Sequence, residues 1–200
     1  PSSGSPVEVN GILFFSADDG VTGPQLWKSD GTETGTVRVR DIRPGPIGSF
    51  PGFNGFVPSP LIGANGMLFF AADDGATGFE LWRSDGTEAG TVPVKDIVPG
   101  PNGSSASSLV DVNGTLFFVA HDAVGTELWR SDGSDTGTHL VRDIYPGPGD
   151  SNPTELKLID GKVYFRADDG AHGVELWQTD GTATGTRLIQ DIAAGASSSH

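Results

Sequence analysis

The sequence contains no cysteine, which excludes disulfides, thiolate metal ligands and thiol catalysis together. Because a cysteine-free chain suits either redox compartment, this absence does not locate the protein. Basic residues are also scarce, with 12 Lys and Arg against 26 Asp and Glu, and they are spread singly. The net charge of -14 repels nucleic acid and anionic membranes, whose binding depends on basic patches, so we expect neither as a partner.

Long apolar runs and helix-forming stretches are missing as well. No run approaches the roughly 18 apolar residues of a membrane-spanning helix, so we expect no membrane insertion. The 30 Gly and 14 Pro disfavour long helices, because they cost about 1 and about 3 kcal/mol at helix-interior positions. With 36% apolar content in 200 residues, one compact all-β domain over residues 1–200 is predicted. The chain starts at Pro1 rather than Met, which suggests a removed leader or a piece of something longer.

What the sequence does have is a repeat. The octapeptide ELWRSDGT at 80–87 has near-copies in three other places, and the tryptophans lie at spacings of 55, 47 and 48 residues. A period near 48 is typical of propeller or solenoid units. The predicted blades cover about 7–45, 58–100, 107–147 and 154–195. The third predicts strands at 108–112, 115–120, 127–131 and 139–144.

The turn chemistry supports four strands in each repeat. Asn-Gly or Asp-Gly lies between two apolar runs in every copy, which is the strongest short hairpin signal. The later Asp-Gly-Thr-x-x-Gly-Thr segments predict a second reverse turn. The second strand of each repeat is apolar on both faces, as in Leu116-Phe117-Phe118, and so needs cover on both sides. Four-stranded antiparallel sheets packed face to face form a β-propeller, which is the predicted fold.

At this point the chain resembles a known family. The string Asn-Gly-x-Leu-Phe-Phe-x-Ala-Asp-Asp-Gly, followed by Glu-Leu-Trp-x-Ser-Asp-Gly-Thr, is similar to the ELWxxDGT repeat of large secreted bacterial proteins, and 64–97 match it throughout. The layout is also similar to kelch-type blades, without the kelch double glycine. The resemblance implies an extracellular or cell-surface bacterial setting and no enzymatic reaction.

Four blades is the low end for a propeller ring. Each blade comes from one contiguous segment, so no strand is exchanged to lock a ring. Three arrangements stay open: a closed four-bladed ring, part of a larger ring, or a unit that assembles through its end blades.

Residues present in all four copies are interpreted first as structural. The four Trp are expected to pack, with Leu on the opposite face of the same strand; the alternative is a sugar-stacking platform. The loops between second and third strands are more acidic, and adjacent carboxylates gain from a shared cation. Calcium is therefore the candidate cofactor, although solvated turns are the alternative and no known calcium motif matches. The candidate ligands are Asp18, Asp19, Asp73, Asp74, Asp122, Asp168 and Asp169.

Departures from the repeat are better evidence for function, because the fold does not require them. The first interval has an insertion at 45–63 that carries Phe50, Phe53 and Phe56. These residues predict either a partner-binding surface or a loop that covers one end of the fold. His121 replaces an Asp of its acidic loop and is a further candidate for ligand binding. The fourth copy has Gln178 and Gln190 where the other copies have Lys or Arg, which suggests a different neighbour.

Catalytic motifs are absent: there is no nucleophile elbow, phosphate-cradling loop or zinc-ligand pair. The leading hypothesis is a secreted, non-catalytic propeller module that adheres to an extracellular glycan or protein, with calcium as a candidate aid. The first alternative is a structural subunit that self-assembles into a surface fibre through its end blades. A glycan-active enzyme, which would need two converging carboxylates, is the third hypothesis.

Overall fold

The computed structural model describes residues 5–50, 61–195 and 198. The described residues form sixteen strands and four four-stranded antiparallel sheets, each with its strands in chain order. This confirms the predicted all-β fold of four propeller blades. None of these residues belongs to a helix of the length and apolar character that crossing a membrane requires.

The sheets follow one another along the chain. Sheet 1 comprises β1 (Val7–Val9), β2 (Ile12–Asp18), β3 (Pro24–Ser29) and β4 (Val37–Arg38). Sheet 2 comprises β5 (Ile62–Ala64), β6 (Met67–Asp73), β7 (Phe79–Ser84) and β8 (Val92–Pro93). Sheet 3 comprises β9 (Ser107–Val112), β10 (Thr115–Asp122), β11 (Gly125–Ser131) and β12 (His139–Arg142). Sheet 4 comprises β13 (Thr154–Ile159), β14 (Lys162–Asp168), β15 (Val174–Thr179) and β16 (Arg187–Gln190).

The chain divides into two compact units, Pro1–Ser107 and Ser108–His200. The first contains sheets 1 and 2, and the second contains sheets 3 and 4 apart from the first residue of β9. Each sheet lies inside the segment predicted for its blade.

Every blade opens with the predicted hairpin. In sheet 1, Asn10 and Gly11 have φ values of 54° and 80°, and Asn113 and Gly114 of sheet 3 have 52° and 86°. Two successive residues with positive φ make the type I′ turn that matches the twist of the flanking strands. The Asn-Gly pairs therefore set the register of the first two strands of each blade.

Each sheet presents two different faces, because successive side chains of a strand point to opposite sides. In sheet 1, Leu26 pairs with Ser16 on one face, whereas Trp27 pairs with Phe15 on the other. We call these the leucine face and the tryptophan face. The corresponding pairs in the other sheets are Leu81 and Trp82, Leu128 and Trp129, and Leu176 and Trp177.

In the first unit, the leucine face of sheet 1 packs against the tryptophan face of sheet 2. One apolar core joins Phe14 and Leu26 of sheet 1 to Phe70 and Trp82 of sheet 2. The packing confirms that this Trp is a core residue, since Trp82 is only 2% exposed.

The second unit repeats this arrangement. Its core joins Phe117 and Leu128 on the leucine face of sheet 3 to Phe165 and Trp177 on the tryptophan face of sheet 4. Burying large side chains on both sides of a blade stabilises each by about 1.5–3 kcal/mol, so neighbouring blades stabilise one another.

Basic side chains connect consecutive blades at the edge of this packing. In the first unit, Lys28 Nζ donates to the carbonyl oxygen of Gly86 at 2.7 Å. Arg40 donates to the carbonyl oxygen of Thr91, with its guanidinium carbon 5.9 Å from the ring centre of Trp82. We call these basic residues the connecting cations.

The second unit has equivalent connecting cations. Arg130 donates to the carbonyl oxygen of Gly181 at 3.1 Å, and Arg142 donates to that of Thr186 at 2.6 Å. Arg142 also lies 5.9 Å from the ring centre of Trp177. The repeated Lys and Arg positions are therefore explained by contact with the following blade.

We expect the two leucines of the second unit to differ in their contribution to stability. Leu128→Ala should lower the free energy of unfolding by about 2–5 kcal/mol, because it leaves a cavity in a close-packed core. Leu176→Ala should cost less than about 1 kcal/mol, because Leu176 is already 37% exposed whereas Leu128 is fully buried. Urea unfolding followed by tryptophan fluorescence measures both, and equal losses would contradict the difference in packing.

Candidate functional site

The acidic loops use their carboxylates to hold their own turns. Asp19 Oδ1 accepts from the backbone N–H groups of Val21 at 2.9 Å and Thr22 at 2.7 Å, and from the Thr22 hydroxyl. The preceding Asp18 accepts from the N–H of Gly20 at 2.8 Å. These hydrogen bonds, with those from the Thr22 and Val21 backbones the strongest, hold the pKa of Asp19 below its usual range.

The other acidic loops repeat this pattern with local differences. Asp74 accepts from Ala76 and Thr77 as Asp19 does from Val21 and Thr22. Asp169 accepts from the backbone of His172, and its second oxygen lies 2.8 Å from His172 Nδ1. The remaining candidates accept from the second residue after them: Asp73 from Gly75, Asp122 from Val124 and Asp168 from Gly170.

Among the described residues, no three His, Cys, Asp or Glu side chains come together in a way that could hold a metal ion. Calcium prefers six to eight oxygen ligands. Three of the acidic loops bring two aspartates each and the loop of sheet 3 brings only Asp122, and these carboxylates already accept N–H groups. Calcium binding at these loops stays a prediction, and the solvated-turn alternative accounts for every carboxylate.

Phe50 is a core residue, which corrects the expectation that it contributes to a binding surface. Its side chain is fully buried and meets Phe70 edge to face, with ring centres 6.2 Å apart. The connection after sheet 1 folds back, since Ser49 donates to the carbonyl of Pro24 and accepts from the N–H of Asp73. Phe53 and Phe56 lie outside the described residues.

His121 lies near the end of β10 in the second unit and is exposed. Its Nδ1 is 3.3 Å from the Thr126 hydroxyl and 3.8 Å from Asp150 Oδ1. Asp150 in turn accepts from the N–H of Thr126 at 2.7 Å. His121 therefore takes part in a local polar cluster at a strand end, and ligand binding by it stays a prediction.

The Asp-Gly-Thr-x-x-Gly-Thr turns are self-contained networks. Asp85 Oδ1 accepts from the N–H and the hydroxyl of Thr87, whose hydroxyl accepts from the N–H of Gly90. A Cβ on Gly90 would lie 2.1 Å from Asp85 Oδ1, so only glycine leaves room for the carboxylate. Thr91 closes the turn onto the Ser84 hydroxyl. The repeated octapeptide is thus a structural part.

The glutamate of the octapeptide anchors the connection that follows the fourth strand. Glu127 is fully buried, and its carboxylate accepts from the N–H groups of Ile144 and Tyr145 and from the Ser151 hydroxyl, the last at 2.6 Å. Glu80 does the same with Val98 and Ser104. The sequence carried one signal for this anchoring role, since the glutamate comes directly before the packed Leu-Trp pair.

Burial raises the pKa of Glu127, and the nearby carboxylate of Asp143 raises it further, against the lowering effect of its hydrogen bonds. Glu127 has no exposed surface from which to protonate a substrate, as a glycosidase acid must. Blade 1 has Gln25 at this position, and its amide donates to Asp41 at 3.0 Å. An anchoring role explains both residue types.

The leucine face of sheet 4 differs from the other three leucine faces. Leu176 is 37% exposed, whereas Leu26, Leu81 and Leu128 have no exposure. Ile159 on the same face is 52% exposed. Together with Tyr164, these two side chains line an open apolar groove, rimmed by Glu155, Lys157 and Arg166.

The charges of this face are also rearranged relative to the other blades. Three cations stand where the other blades have uncharged residues. Lys157 takes the position of Val7, Ile62 and Val110, and Lys162 takes the position of Ile12, Met67 and Thr115. Arg187 takes the position of Val37, Val92 and His139. Meanwhile Gln178 and Gln190 stand where the connecting cations stand in sheets 1 and 3. This leucine face, with new cations on its rim and no connecting cations, is the candidate site.

The two glutamines were noted from the sequence, but the exposed leucine and the new cations were not, and these cations also include Arg166 at the position of Ser16, Ala71 and Val119. The cations were visible in the aligned copies, because each replaces an uncharged residue. The exposure of Leu176 was not visible, because the same leucine is present in every copy.

No model of a known protein family matches the chain, and no curated protein matches it in sequence. Solved structures match it in fold. A puromycin hydrolase mutant complexed with PGG has a TM-score of 0.60 at 15% identity, over 96% of this chain and 29% of that protein. A further puromycin hydrolase structure has a TM-score of 0.56 at 16% identity, over 94% and 32%. A prolyl endopeptidase has a TM-score of 0.54 at 15% identity, over 89% and 24%.

At these identities the likeness shows the fold alone, which is that of β-propeller proteins. The chain spans about a quarter to a third of the length of these proteins. The resemblance to ELWxxDGT-repeat proteins stays a prediction.

The buried glutamate predicts a pH-dependent contribution to stability. The pKa of Glu127 is higher in the folded state than in the unfolded state. Its contribution to stability is therefore fully present below the unfolded-state pKa and is lost as the pH rises through the folded-state pKa. Relative to Glu127→Gln, the wild-type free energy of unfolding should therefore fall as pH rises from about 4 to 7. Denaturant unfolding at each pH measures this difference, with the exposed Glu88→Gln as the control. A difference that stays flat or grows with pH would contradict the assignment.

The acidic loops can be tested with two substitutions at Asp74. Asp74→Asn keeps the Oδ1 acceptor and should leave the melting temperature close to that of the wild type. Asp74→Ala removes the acceptor and should cost about 1 kcal/mol, with or without calcium. A calcium-dependent rise in melting temperature that both substitutions abolish would instead assign a metal site to this loop.

Proposed function

We propose that this protein is a non-catalytic, extracellular propeller-type module that binds a protein partner through the leucine face of sheet 4. The single observation that carries the proposal is the exposure of Leu176, at a position that is fully buried in the other three blades. Exposed contiguous apolar surface on a folded protein tends to mark an interaction site.

The make-up of the face favours a protein over a glycan. The exposed apolar side chains of the groove are the aliphatic Ile159 and Leu176, and its one partly exposed aromatic is Tyr164, which is a smaller platform than sugar stacking on several rings would use. An apolar centre with a charged rim is the usual anatomy of a protein interface.

The charge of the face specifies the partner further. Lys157, Lys162 and Arg187 are exposed on this sheet, in a chain whose net charge is -14. A partner that places carboxylates opposite these cations and apolar side chains opposite Leu176 would be complementary in both respects.

The non-catalytic part of the proposal is supported by how the carboxylates are used. The loop aspartates accept N–H groups of their own turns, and Glu80 and Glu127 anchor connecting loops from fully buried positions. The extracellular setting rests on the resemblance to secreted repeat proteins.

The test is a selection of displayed random dodecapeptides on the immobilised chain. We expect enriched peptides to combine Asp or Glu with aliphatic residues, and Leu176→Glu to weaken their binding at least tenfold. Val21→Glu is the matched control, because Val21 is 74% exposed but lies in an acidic loop of sheet 1. Enrichment that Leu176→Glu leaves unchanged, or binding on a glycan array only, would overturn the proposal.

A further inference from the structure

We propose that the leucine face of sheet 4 docks onto the tryptophan face of sheet 1 in a second copy of this chain. The contact would repeat, head to tail between copies, the packing that joins the two blades inside each unit. This inference rests on the proposed function, since it names the partner of the same face.

The packing rule is shown twice in the molecule. In both units a leucine face meets a tryptophan face, and the joined core contains Phe14 with Trp82 in one case and Phe117 with Trp177 in the other. A leucine face of this repeat therefore has one known complement, and that complement is a tryptophan face.

Sheet 1 offers such a complement. Leu13 on its tryptophan face is 40% exposed, and Trp27 is half-buried. The turn beside it is uncovered too: Gly31 and Thr36 are exposed. The corresponding turn residues in the second blade of each unit lie buried beneath the connecting cations: Gly86, Thr91, Gly181 and Thr186.

A first charge pair follows from the observed packing of β1 beside β5. A Cβ built on Gly63 lies 3.0 Å from Val9 Cγ2 and 3.8 Å from Val7 Cγ1, so the position of Gly63 meets both of these positions across the blade contact. In the fourth blade the positions of Val9 and Val7 hold Ile159 and Lys157, and in the first blade the position of Gly63 holds Glu8. Docking sheet 4 of one copy on sheet 1 of another therefore places Glu8 against Ile159 and beside Lys157.

A second pair follows from the other end of the same contact. In the first unit, Ile12 lines a small cavity together with Asp85 of the next blade. In the second unit, the equivalent Thr115 lines a cavity with Asp180. The fourth blade has Lys162 at the position of Ile12, and the first has Asp30 at the position of Asp85. Docking thus brings Lys162 near Asp30.

The missing connecting cations set the strength of the contact. Gln178 and Gln190 reach less far than Arg and carry no charge, so the carbonyl groups of Gly31 and Thr36 receive weaker hydrogen bonds. Exposed ion pairs add little free energy but oppose wrong pairings. We therefore expect reversible association, weaker than the packing inside each unit.

When two different faces form the contact, each added copy leaves one face of each kind free. The assembly therefore keeps growing unless the rotation between neighbouring copies closes it into a ring. The average mass measured by light scattering should therefore rise with concentration above 20.7 kDa, with no plateau at a dimer, between about 10 µM and 1 mM. A mass that stays at the monomer value, or a dimer plateau that Glu8→Lys leaves unchanged, overturns the inference.

Charge reversal tests the orientation. Lys157→Glu alone and Glu8→Lys alone should each lower self-association at least tenfold, because each places like charges together. Mixing the two variants should restore association in alternating order, because the leucine face of each variant then meets an opposite charge on the tryptophan face of the other. Failure of the mixture to associate, while circular dichroism shows both variants folded, overturns the predicted pairing.

The outcome also separates this inference from the proposed function. A monomeric chain that still binds acidic peptides in a Leu176-dependent manner overturns self-docking and leaves the binding face in place. A monomeric chain that binds none of the displayed peptides overturns both.

Discussion

The structure depends on the packing of one blade's leucine face against the next blade's tryptophan face. Because the second strand of each repeat is apolar on both sides, a single blade left in water would expose apolar side chains on both faces. Side chains such as Phe14 and Trp82 therefore need a neighbouring sheet, and the hydrogen bonds of Lys28 and Arg40 to the following turn fix where that neighbour sits. The hairpins, the turns and the anchoring glutamates all serve to present these two faces.

Most of the polar chemistry of the chain is consumed in making the blades. Asp85 and Thr87 satisfy the backbone of their own turn, Asp74 does the same in its loop, and Glu127 holds the connection to the next blade. A buried polar group without a partner costs free energy, so structural reasons explain why these residues, or others with similar hydrogen-bonding groups such as Gln25 and Ser134, recur in the copies. The leucine face of sheet 4, which we propose as the binding face, is one place where a copy departs from the others.

The position of that face in the fold explains its composition. A face covered by another blade tolerates only apolar residues at its centre, and cations only where carbonyl groups meet them. On sheet 4 the positions of Val7 and Ile12 hold lysines, and the connecting cations are replaced by glutamines. These changes retain an apolar centre at Leu176 and add positive charge at the rim, and the proposed acidic partner rests on this combination.

The sequence by itself determined the features that depend on local chemistry. Asn10-Gly11 form a hairpin turn because both residues accept positive φ. The adjacent Leu and Trp of the third strand point to opposite faces of the sheet. The aspartate of each Asp-Gly-Thr turn accepts hydrogen bonds from its own turn and so determines its conformation. Tertiary structure decided what covers each face. The sequence left open whether Phe50 contributes to a binding surface or to a loop that covers part of the fold, and the structure places it in the core against Phe70. Leu176 is exposed although its three counterparts are buried. The physical reason is that the burial of a side chain depends on residues far away in the chain. Because the four copies of the motif are nearly identical, their sequences do not show which copy is covered by such residues.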